Sequence, residues 1–416
     1  MKFKNTFSFA SNLDVNDKLK NYRSQFYIPL QKNGTEHIYL CGNSLGLQPK
    51  ITRKYLDQEL NDWASLGVEG HFHAKNPWLP YHEYLTESYS KIVGAKKTEV
   101  IAMNTLTVNL HLMMVTFYRP TSKRYKILIE ADAFPSDIYA VESQINFHGY
   151  NVDDALIKLK PRNGDSVITT DDIEKLLNEE GDEIALIMLG GVNYYTGQVF
   201  DFKKITDLGH KKGIKVGFDL AHAAGNIKLE LHNWKVDFAV WCSYKYLNSG
   251  PGSVAGAYIH SRHHDTNLLR FSGWWGHNKD DRFKMPDKFN PIKSAEGWQL
   301  SNPPILSLAA IRASLSIFDE VGMNALVLKS QKLTNYLIFL LESIDSNRIN
   351  IITPKKRGCQ VSIRVNNGNK ILFDAITKKG VIADWREPDV IRVAPVPLYN
   401  SFTDVFNFYT ILKEEL

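Results

Sequence analysis

The sequence is poor in cysteine and has no long apolar run. Its three cysteines, Cys41, Cys242 and Cys359, are an odd number and lack the Cys-x-x-Cys spacing of zinc sites and redox pairs. This pattern argues against a disulfide framework and a zinc knuckle, and it favours a reducing compartment. The sequence also lacks the roughly 18 uninterrupted apolar residues of a membrane-spanning helix.

Two further features are missing. Residues 1–14 carry Lys2 and Lys4 but no continuous apolar segment of the kind found in secretory signals. The net charge of +5 is spread over 416 residues, and basic groups such as Lys355-Lys356-Arg357 stand apart, whereas a nucleic-acid-binding face needs them clustered. We therefore expect a cytoplasmic protein that binds neither nucleic acid nor membrane.

Internal repeats and low-complexity segments are absent as well. With 44% hydrophobic and 23% charged residues, the composition is that of a globular protein with enough apolar material for a sizeable core. A chain of 416 residues exceeds what one simple core holds, and it suits a large domain of roughly 250 residues with a second of roughly 100.

What the sequence does contain is a recurring order of a short apolar run, a turn and a segment of helical periodicity, which is typical of α/β proteins. Helices are predicted at Thr107–Tyr118 and at Phe202–Lys212, the latter ending at Gly213. Buried parallel strands are predicted where the runs are apolar throughout, at Lys126–Glu130, Ile184–Leu189, Ile214–Asp219, Phe238–Trp241 and Val254–Ile259.

The pattern changes near residue 305. Helices are predicted at Ile305–Val321 and around Leu333–Leu341, and the strict alternation of Gln360–Val365 predicts a half-exposed antiparallel strand. The remaining predictions there are a turn at Asn367-Gly368-Asn369, a helix at Ile371–Lys379, strands near Val381–Asp384 and Ile391–Val393, and a helix from Phe402. We expect an N-terminal arm (1–44) that contributes to the small domain, a large domain (45–304) and a small α+β domain (305–416).

The strongest chemical signal is a carboxylate and a lysine at the ends of two predicted strands. Asp219 and Lys245 each follow a buried strand, and the carboxyl ends of such strands form the ligand-binding edge of an open α/β sheet. Pyridoxal 5'-phosphate (PLP) needs this pair, because the lysine forms a Schiff base and the carboxylate keeps the ring nitrogen protonated. His222 lies near enough in sequence to cover the ring. Alternatively, Asp219 caps a helix and Lys245 is a solvated loop residue.

Two other segments fit the same cofactor. Asn104-Thr105-Leu106-Thr107 precedes a predicted helix, whose free N–H groups attract a phosphate, although an ordinary N-cap by Thr105 or Thr107 explains the motif equally well. Phe134 and Asp137 follow another predicted strand, where they can stack on the ring and hydrogen-bond the cofactor. The alternative is a packed turn in which Pro135 opens a helix.

Several short motifs, taken in their order, are specific. Over nearly the whole chain, from Tyr39 to Asn400, they resemble the kynureninase family, which consists of fold-type I, class V aminotransferase-like PLP enzymes. The motifs are NSLG, LTVNLHL, FPSD, YTGQ, DLAHAAGN, SYKY, NSGPG, GWWGH and SNPPI. The resemblance implies an α/β large domain with a mostly parallel central sheet and a small C-terminal α+β domain.

The resemblance also assigns residues to the cofactor. It implies that Leu106, Thr107 and Tyr244 hold the phosphate, that Asp219 binds the ring nitrogen, and that Lys245 forms the Schiff base. The full set that it places around PLP is Leu106, Thr107, Phe134, Pro135, Ser136, Asp137, Asp219, His222, Tyr244 and Lys245. Gly190 departs from the family pattern, since many relatives carry a small hydroxyl residue there.

The family is dimeric, with active sites at the subunit interface. The resemblance therefore implies a homodimer in which Trp274 and Asn302 of one protomer reach the cofactor phosphate of the other. Alternatively, Trp274 and Trp275 are core aromatics of their own chain.

For the substrate, Arg392 matches the arginine that binds the amino-acid carboxylate through its planar guanidinium. Residues matched to the aromatic end of the substrate are His71, Trp275, Ser301 and Asn302. Alternatively, Arg392 is a surface residue on an edge strand, and His71 with His73 forms an exposed loop or half of a metal site, although we expect no metal.

The activity implied is PLP-dependent hydrolysis of L-kynurenine or L-3-hydroxykynurenine to anthranilate or 3-hydroxyanthranilate and L-alanine, in tryptophan catabolism or NAD biosynthesis. Lys245 would remove the Cα proton, and Tyr244 would donate or relay one. Two alternatives stay open. One is another PLP lyase such as a cysteine desulfurase, which needs a nucleophilic cysteine in a mobile loop. The other is a noncatalytic PLP-fold binding protein, which need not retain Lys245, Asp219 and Arg392.

Overall fold

The computed structural model describes residues 2–366, 368 and 370–416. The strands are β1 (Ile38–Tyr39), β2 (Val100–Ala102), β3 (Lys126–Glu130), β4 (Leu156–Leu159), β5 (Ile184–Gly190), β6 (Lys215–Asp219), β7 (Phe238–Trp241), β8 (Gly256–Ile259), β9 (Ile349–Ile351), β10 (Val361–Val365), β11 (Val381–Ile382), β12 (Asp384–Arg386) and β13 (Val390–Val393).

The α-helices alternate with the strands through the first two thirds of the chain. They are α1 (Phe7–Val15), α2 (Thr52–Leu66), α3 (Gly70–His73), α4 (Thr86–Val93), α5 (Leu106–Phe117), α6 (Pro135–Phe147), α7 (Val152–Ala155), α8 (Thr170–Glu180), α9 (Phe202–Lys211), α10 (Ile305–Val321), α11 (Met323–Glu342), α12 (Ile371–Lys378) and α13 (Phe402–Glu415).

A seven-stranded sheet with the order β2-β8-β7-β6-β5-β3-β4 forms the centre of the molecule. The five adjacent strands β4, β3, β5, β6 and β7 are parallel to one another. Their apolar side chains alternate between two core clusters, so that Leu128 lies on one face of β3 while Ile127 and Ile129 lie on the other. Burial on both faces explains why these strands are apolar throughout.

The prediction of a parallel strand at Val254–Ile259 is wrong, because β8 is antiparallel to β7. Residues 242–255, which connect the two strands, form turns and bends and no helix, whereas a parallel return usually runs through a helix. The residues of β8 do not reveal its direction, since all four are buried and show no alternation. The other four predicted strands are present. The structure adds the short edge strands β2 and β4, which the apolar pattern missed.

The smaller sheet has the order β12-β13-β10-β9 and is antiparallel throughout. The antiparallel strand predicted at Gln360–Val365 is confirmed, but its half exposure is wrong. Ser362 is completely buried, and its hydroxyl donates a 2.6 Å hydrogen bond to the carbonyl of Tyr195. The alternation thus reflects polar residues that are buried against the loop after β5 instead of facing solvent.

Most predicted helices are present with small shifts of their ends. Gly213 follows α9 with φ +72°, the left-handed conformation expected of a glycine at this place. The helix predicted around Leu333–Leu341 is longer in the structure, because α11 starts directly after α10. The turn predicted at Asn367-Gly368-Asn369 lies outside the described residues at Asn367 and Asn369.

Both ends of the chain contribute to a third core cluster. Ala10 of α1 packs there with side chains of α11, α13 and the small sheet, and β1 pairs with β11. Buried residues of α10, among them Ile311 and Leu315, belong instead to a cluster of the large sheet. The domain boundaries at 44 and 304 stay a prediction. No helix in the described part of the chain is both long and apolar enough to cross a membrane.

Candidate active site

A cavity of about 150 Å³ opens at the carboxyl ends of β3, β5 and β6. Such an edge collects side chains from separate strands because parallel strands end there together. Predicted site residues that line it are Leu106, Thr107, Phe134, Ser136, Asp137, Asp219, His222, Tyr244 and Lys245. Glu130, Val192, Tyr194 and Ala221 also line it and were not predicted.

Lys245 extends into this cavity from the loop after β7. Its Nζ donates a hydrogen bond to Nε2 of His222 at 3.0 Å and lies 5.8 Å from the centre of the Phe134 ring. Burial, and then the charge of Lys245, lower the pKa of His222 well below its usual value. His222 is therefore neutral and accepts the bond, which rules out the alternative of a solvated Lys245.

Asp219 ends β6, and its buried carboxylate accepts a 2.7 Å hydrogen bond from the backbone N–H of Ala221. A capping carboxylate makes the same contact, but here turns follow instead of a helix. Asp137 donates a hydrogen bond to Asp219, and burial together with the Asp219 charge raises the pKa of Asp137 well above its usual range. Asp137 thus carries the proton and Asp219 the negative charge.

Two helix N-termini meet at the opposite side of the cavity. Thr105 is the N-cap residue of α5 and Phe134 that of α6, and neither side chain caps its helix. Thr107 and Ser136, in the first turns, lie with their hydroxyl oxygens 2.8 Å apart. Free N–H groups, two hydroxyls and two helix dipoles make this a site for an anion such as phosphate. The alternative of an ordinary threonine N-cap is not what the structure shows at Thr105.

Phe134 lies between the anion site and Lys245. Its ring is 42% exposed and meets Tyr194 edge to face at 5.3 Å. Pro135 is the first residue of α6, as expected of a proline at a helix start, and is not among the cavity-lining residues that the structure describes. The cavity therefore presents an aromatic face, a lysine, a carboxylate and an anion site together.

Comparison with known proteins adds a sequence relationship to this geometry. The chain is 57% identical to the kynureninase of Flavobacterium psychrophilum over 100% of this chain and 99% of that protein. The chain belongs to the kynureninase family. The family model of the kynureninase C-terminal domain matches residues 326–412.

Solved structures show the same fold at low identity. An apo cysteine desulfurase from Thermococcus onnurineus has a TM-score of 0.77 and 16% identity, covering 95% of this chain and 97% of its own. A C-DES variant with glycine covalently linked to its PLP cofactor has a TM-score of 0.78 and 15% identity, covering 94% and 99%. The kynureninase-family chain thus has the expected fold-type I architecture.

Arg392, which the kynureninase resemblance assigns to the substrate carboxylate, is buried in the middle of the small sheet. This excludes the alternative of a surface arginine on an edge strand. Its guanidinium pairs with Asp384 and donates a 2.7 Å hydrogen bond to the carbonyl of Tyr194, a residue of the cavity wall. Nε has no partner among the described residues. Arg392 thus lies beside the cavity without lining it.

The other residues that the kynureninase resemblance assigns to substrate or to the partner's cofactor do not line this cavity within the described chain. Trp274 is 41% exposed, and Ser301 and Asn302 are exposed. Trp275 is a buried aromatic, and Arg282 stacks on it. His71 is half-buried and contacts the carbonyl of Val68. These five residues therefore lie outside the described cavity of a single chain.

Glu130 is the cavity residue that the sequence pattern gave least reason to expect. The sequence pattern predicts an exposed polar residue at the end of a strand, yet only 3% of Glu130 is exposed. Both carboxylate oxygens accept from the N–H of Gly190, at 3.1 and 3.2 Å. Gly190, the position that departs from the kynureninase pattern, also lines the cavity. A buried glutamate beside a glycine at the ends of adjacent strands becomes visible only once the strand order is known.

Proposed function

We propose that this chain hydrolyses L-kynurenine or L-3-hydroxykynurenine to anthranilate or 3-hydroxyanthranilate and L-alanine, with PLP as cofactor. The observation that carries the proposal is the meeting of Lys245, Asp219 and two uncapped helix N-termini in one cavity of a kynureninase-family chain. The reaction class is that of a hydrolase that cleaves a carbon–carbon bond next to a ketone, EC 3.7.1.3.

The residues present fit PLP. Thr107, Ser136 and the N-termini of α5 and α6 would hold the phosphate, while Phe134 would cover the ring. Asp219 would pair with the ring nitrogen. Oδ1 of Asp137 and Nδ1 of His222 belong to the same wall, and these buried atoms have no hydrogen-bond partner in the described part of the chain, which leaves them for the cofactor. When bound through Lys245, PLP supplies an electron sink for the bonds at the substrate Cα.

The chain's own groups account for the proton movements. The Lys245 amine, when free of the cofactor, holds and releases the proton at the substrate Cα. Tyr244 is half-buried, and burial raises the pKa of its hydroxyl, so that the group keeps its proton at neutral pH. This hydroxyl can supply a proton to the product side. One water molecule adds to the side-chain ketone carbon, and cleavage of Cβ–Cγ gives the aromatic acid and alanine.

Arg392 is proposed to bind the substrate carboxylate. Its guanidinium is fixed by Asp384 and the carbonyl of Tyr194, which orients the side chain while Nε stays available. The aromatic end of the substrate would meet His71, Trp275, Ser301 and Asn302. Because these residues lie off the cavity of one chain, we also propose a homodimer in which Trp274 and Asn302 serve the partner's site.

A cysteine desulfurase activity finds no support in the thiols. Burial raises the pKa of Cys41 and Cys242 to about 11 and that of Cys359 to about 12. Each thiol therefore stays protonated, whereas a nucleophile must be a thiolate. None of the three is among the residues that line the described cavity. Free, protonated thiols also suit the cytoplasmic location that we propose.

The test is incubation of the purified, PLP-loaded protein with L-kynurenine and, separately, L-3-hydroxykynurenine. We expect an aromatic acid and an equimolar amount of alanine from at least one of them, and the ratio of kcat/KM values ranks the two. Cysteine, assayed in parallel, should give no sulfide or persulfide. No product from either kynurenine by a protein that holds PLP on Lys245 would refute the proposal.

A further inference from the structure

Three neighbouring parallel strands end at one edge of the cavity. β5 lies between β3 and β6, and the residues at their carboxyl ends are Gly190, Glu130 and Asp219 respectively. Gly190 is in register with Asp219. The middle strand thus ends in a residue without a side chain, between two strands that end in carboxylates.

The Glu130 side chain occupies the space above Gly190. Both of its oxygens bind the Gly190 N–H, and a Cβ atom built on Gly190 would lie 2.8 Å from Oε1 of Glu130. That distance is too short for a non-bonded contact. Glu130 in this position and any side chain at residue 190 therefore exclude each other. The reason is space, since Gly190 is not among the described residues with positive φ.

The position brings a third carboxyl group to the cavity wall. Glu130 faces Asp219 on β6 and Asp132 in the loop after β3, and it also acts on Asp137 of α6. The cation of this wall is Lys245. Burial, followed by the charges of Asp219 and Asp132, raises the pKa of Glu130 to about 7. Glu130 therefore exchanges its proton near neutral pH.

We propose that Glu130 is a positioning residue which enters the cavity through the space left by Gly190 and whose carboxyl group acts on Asp219 at the cofactor site. The inference rests on the proposed PLP function and deepens it. Glu130 is not assigned to the reaction itself, since it acts through Asp219. A purely structural Glu130, serving only as acceptor for the Gly190 N–H, is the competing explanation.

The first test is Glu130→Gln, which keeps the shape and an acceptor for Gly190 but cannot ionise. The readouts are the dissociation constant for PLP and the visible absorbance of the bound cofactor between pH 5.5 and 9. We expect the pH midpoint of the wild-type spectrum to move by about one unit or to disappear in the variant. Glu142→Gln, on the exposed side of α6, is the matched control and should leave it unchanged. An unmoved midpoint in Glu130→Gln would leave only the structural role.

The second test uses the mutual exclusion of Glu130 and a side chain at 190. Gly190→Ser alone should weaken PLP binding about tenfold, because the new side chain pushes the Glu130 carboxyl group into the space of the cofactor. The double variant Gly190→Ser/Glu130→Ala removes the collision and should recover most of that loss. Additive losses in the double variant would overturn the geometric part of the proposal.

These readouts separate the inference from the proposed reaction. PLP binding and the cofactor spectrum need no substrate, so they report on Glu130 whatever the chain cleaves. A wild-type protein that shows the Glu130-dependent pH midpoint but releases neither anthranilate nor 3-hydroxyanthranilate would refute the proposed reaction alone. A protein that cleaves kynurenine with an unchanged midpoint in Glu130→Gln would refute the inference alone.

Discussion

Nζ of Lys245 lies 3.0 Å from Nε2 of His222, a lysine and a histidine from loops after two adjacent parallel strands. The neutral imidazole accepts from the ammonium group and fixes the direction of the lysine side chain. The centre of the Phe134 ring lies 5.8 Å from the same Nζ. The amine thus has both a hydrogen-bond acceptor and an aromatic ring beside it.

Replacing the Lys245 amine should abolish both the covalent attachment of the cofactor and the activity. Lys245→Ala is expected to lose the absorbance of the covalently held cofactor and to lower kcat by about a thousandfold or more, because both the covalent link and the proton carrier are gone. Absorbance spectra and the anthranilate assay measure the two effects. Lys203→Ala, which removes an exposed partner of Asp207, is the control and should behave like wild type. Normal turnover by Lys245→Ala would end this account of the site.

The two coupled aspartates should respond differently to the same change. Asp219→Asn removes the negative charge opposite the ring nitrogen, and we expect PLP to stay bound while kcat falls by about a hundredfold or more. Asp137→Asn replaces a group that already carries a proton, so its loss of kcat should be at least tenfold smaller. Steady-state kinetics on both holo variants decide this. Equal losses would mean that the proton is not on Asp137.

Much of this site follows from the sequence because each group stands at a strand or helix end. Asp219 and Lys245 follow apolar runs, and Thr107 stands at the start of a helix, so that the rule for parallel strands brings them to one edge. Glu130 could not be found in this way. Its role depends on which strand lies beside β3, and the order β6-β5-β3 is a property of the fold that no local pattern contains.

The errors in the fold have a similar origin. The direction of β8 and the burial of Ser362 both depend on what packs against the strand, not on the strand's own residues. The roles of Trp274 and Asn302 are harder still to predict, because the cofactor that we propose they bind belongs to a second chain. Local periodicity thus predicts which segments are strands and helices, while tertiary contacts decide direction, exposure and partnership.

The anion site can be tested through its hydroxyls. Thr107→Val and Ser136→Ala should each weaken PLP binding about tenfold, which corresponds to the loss of roughly one charge-assisted hydrogen bond. Binding of pyridoxal, which has no phosphate, should stay unchanged in both variants. Ser143→Ala, further along α6 and bonded within the helix, is the control. Equal weakening for PLP and pyridoxal would place the hydroxyls away from the phosphate.

Glu130 should also make stability depend on pH. Its pKa in the folded chain is about 7 against a usual value of 4.5, so the folded state keeps a proton that the unfolded state has released between these values. The bound proton stabilises the folded state fully below pH 4.5, and this stabilisation is lost as the pH rises through 7. Relative to Glu130→Gln, the free energy of unfolding of the wild type should therefore fall by up to about 3 kcal/mol between pH 4.5 and 8.

Urea unfolding of the apo forms at pH 5 and pH 8 measures this difference. The stability of Glu130→Gln relative to the wild type should be greater at pH 8 than at pH 5. The stability of Glu142→Gln relative to the wild type should be the same at both pH values. A difference between variant and wild type that is the same at both pH values would contradict a buried, titrating Glu130.

The proposed shared site predicts complementation between two damaged protomers. Trp274 is 41% exposed and lies off the cavity of its own chain, so Trp274→Ala and Lys245→Ala should damage different halves of each site. In a heterodimer of the two variants, one site combines the intact Lys245 of one protomer with the intact Trp274 of the other. Random pairing makes half of the dimers mixed, which restores about a quarter of all sites.

Co-expression with two tags and tandem purification isolates the mixed dimer, whose activity should be about half that of wild type. If Trp274 instead serves its own chain, the only site that keeps Lys245 lacks its tryptophan and the other site lacks Lys245. The activity of the mixed dimer then falls to about half that of Trp274→Ala.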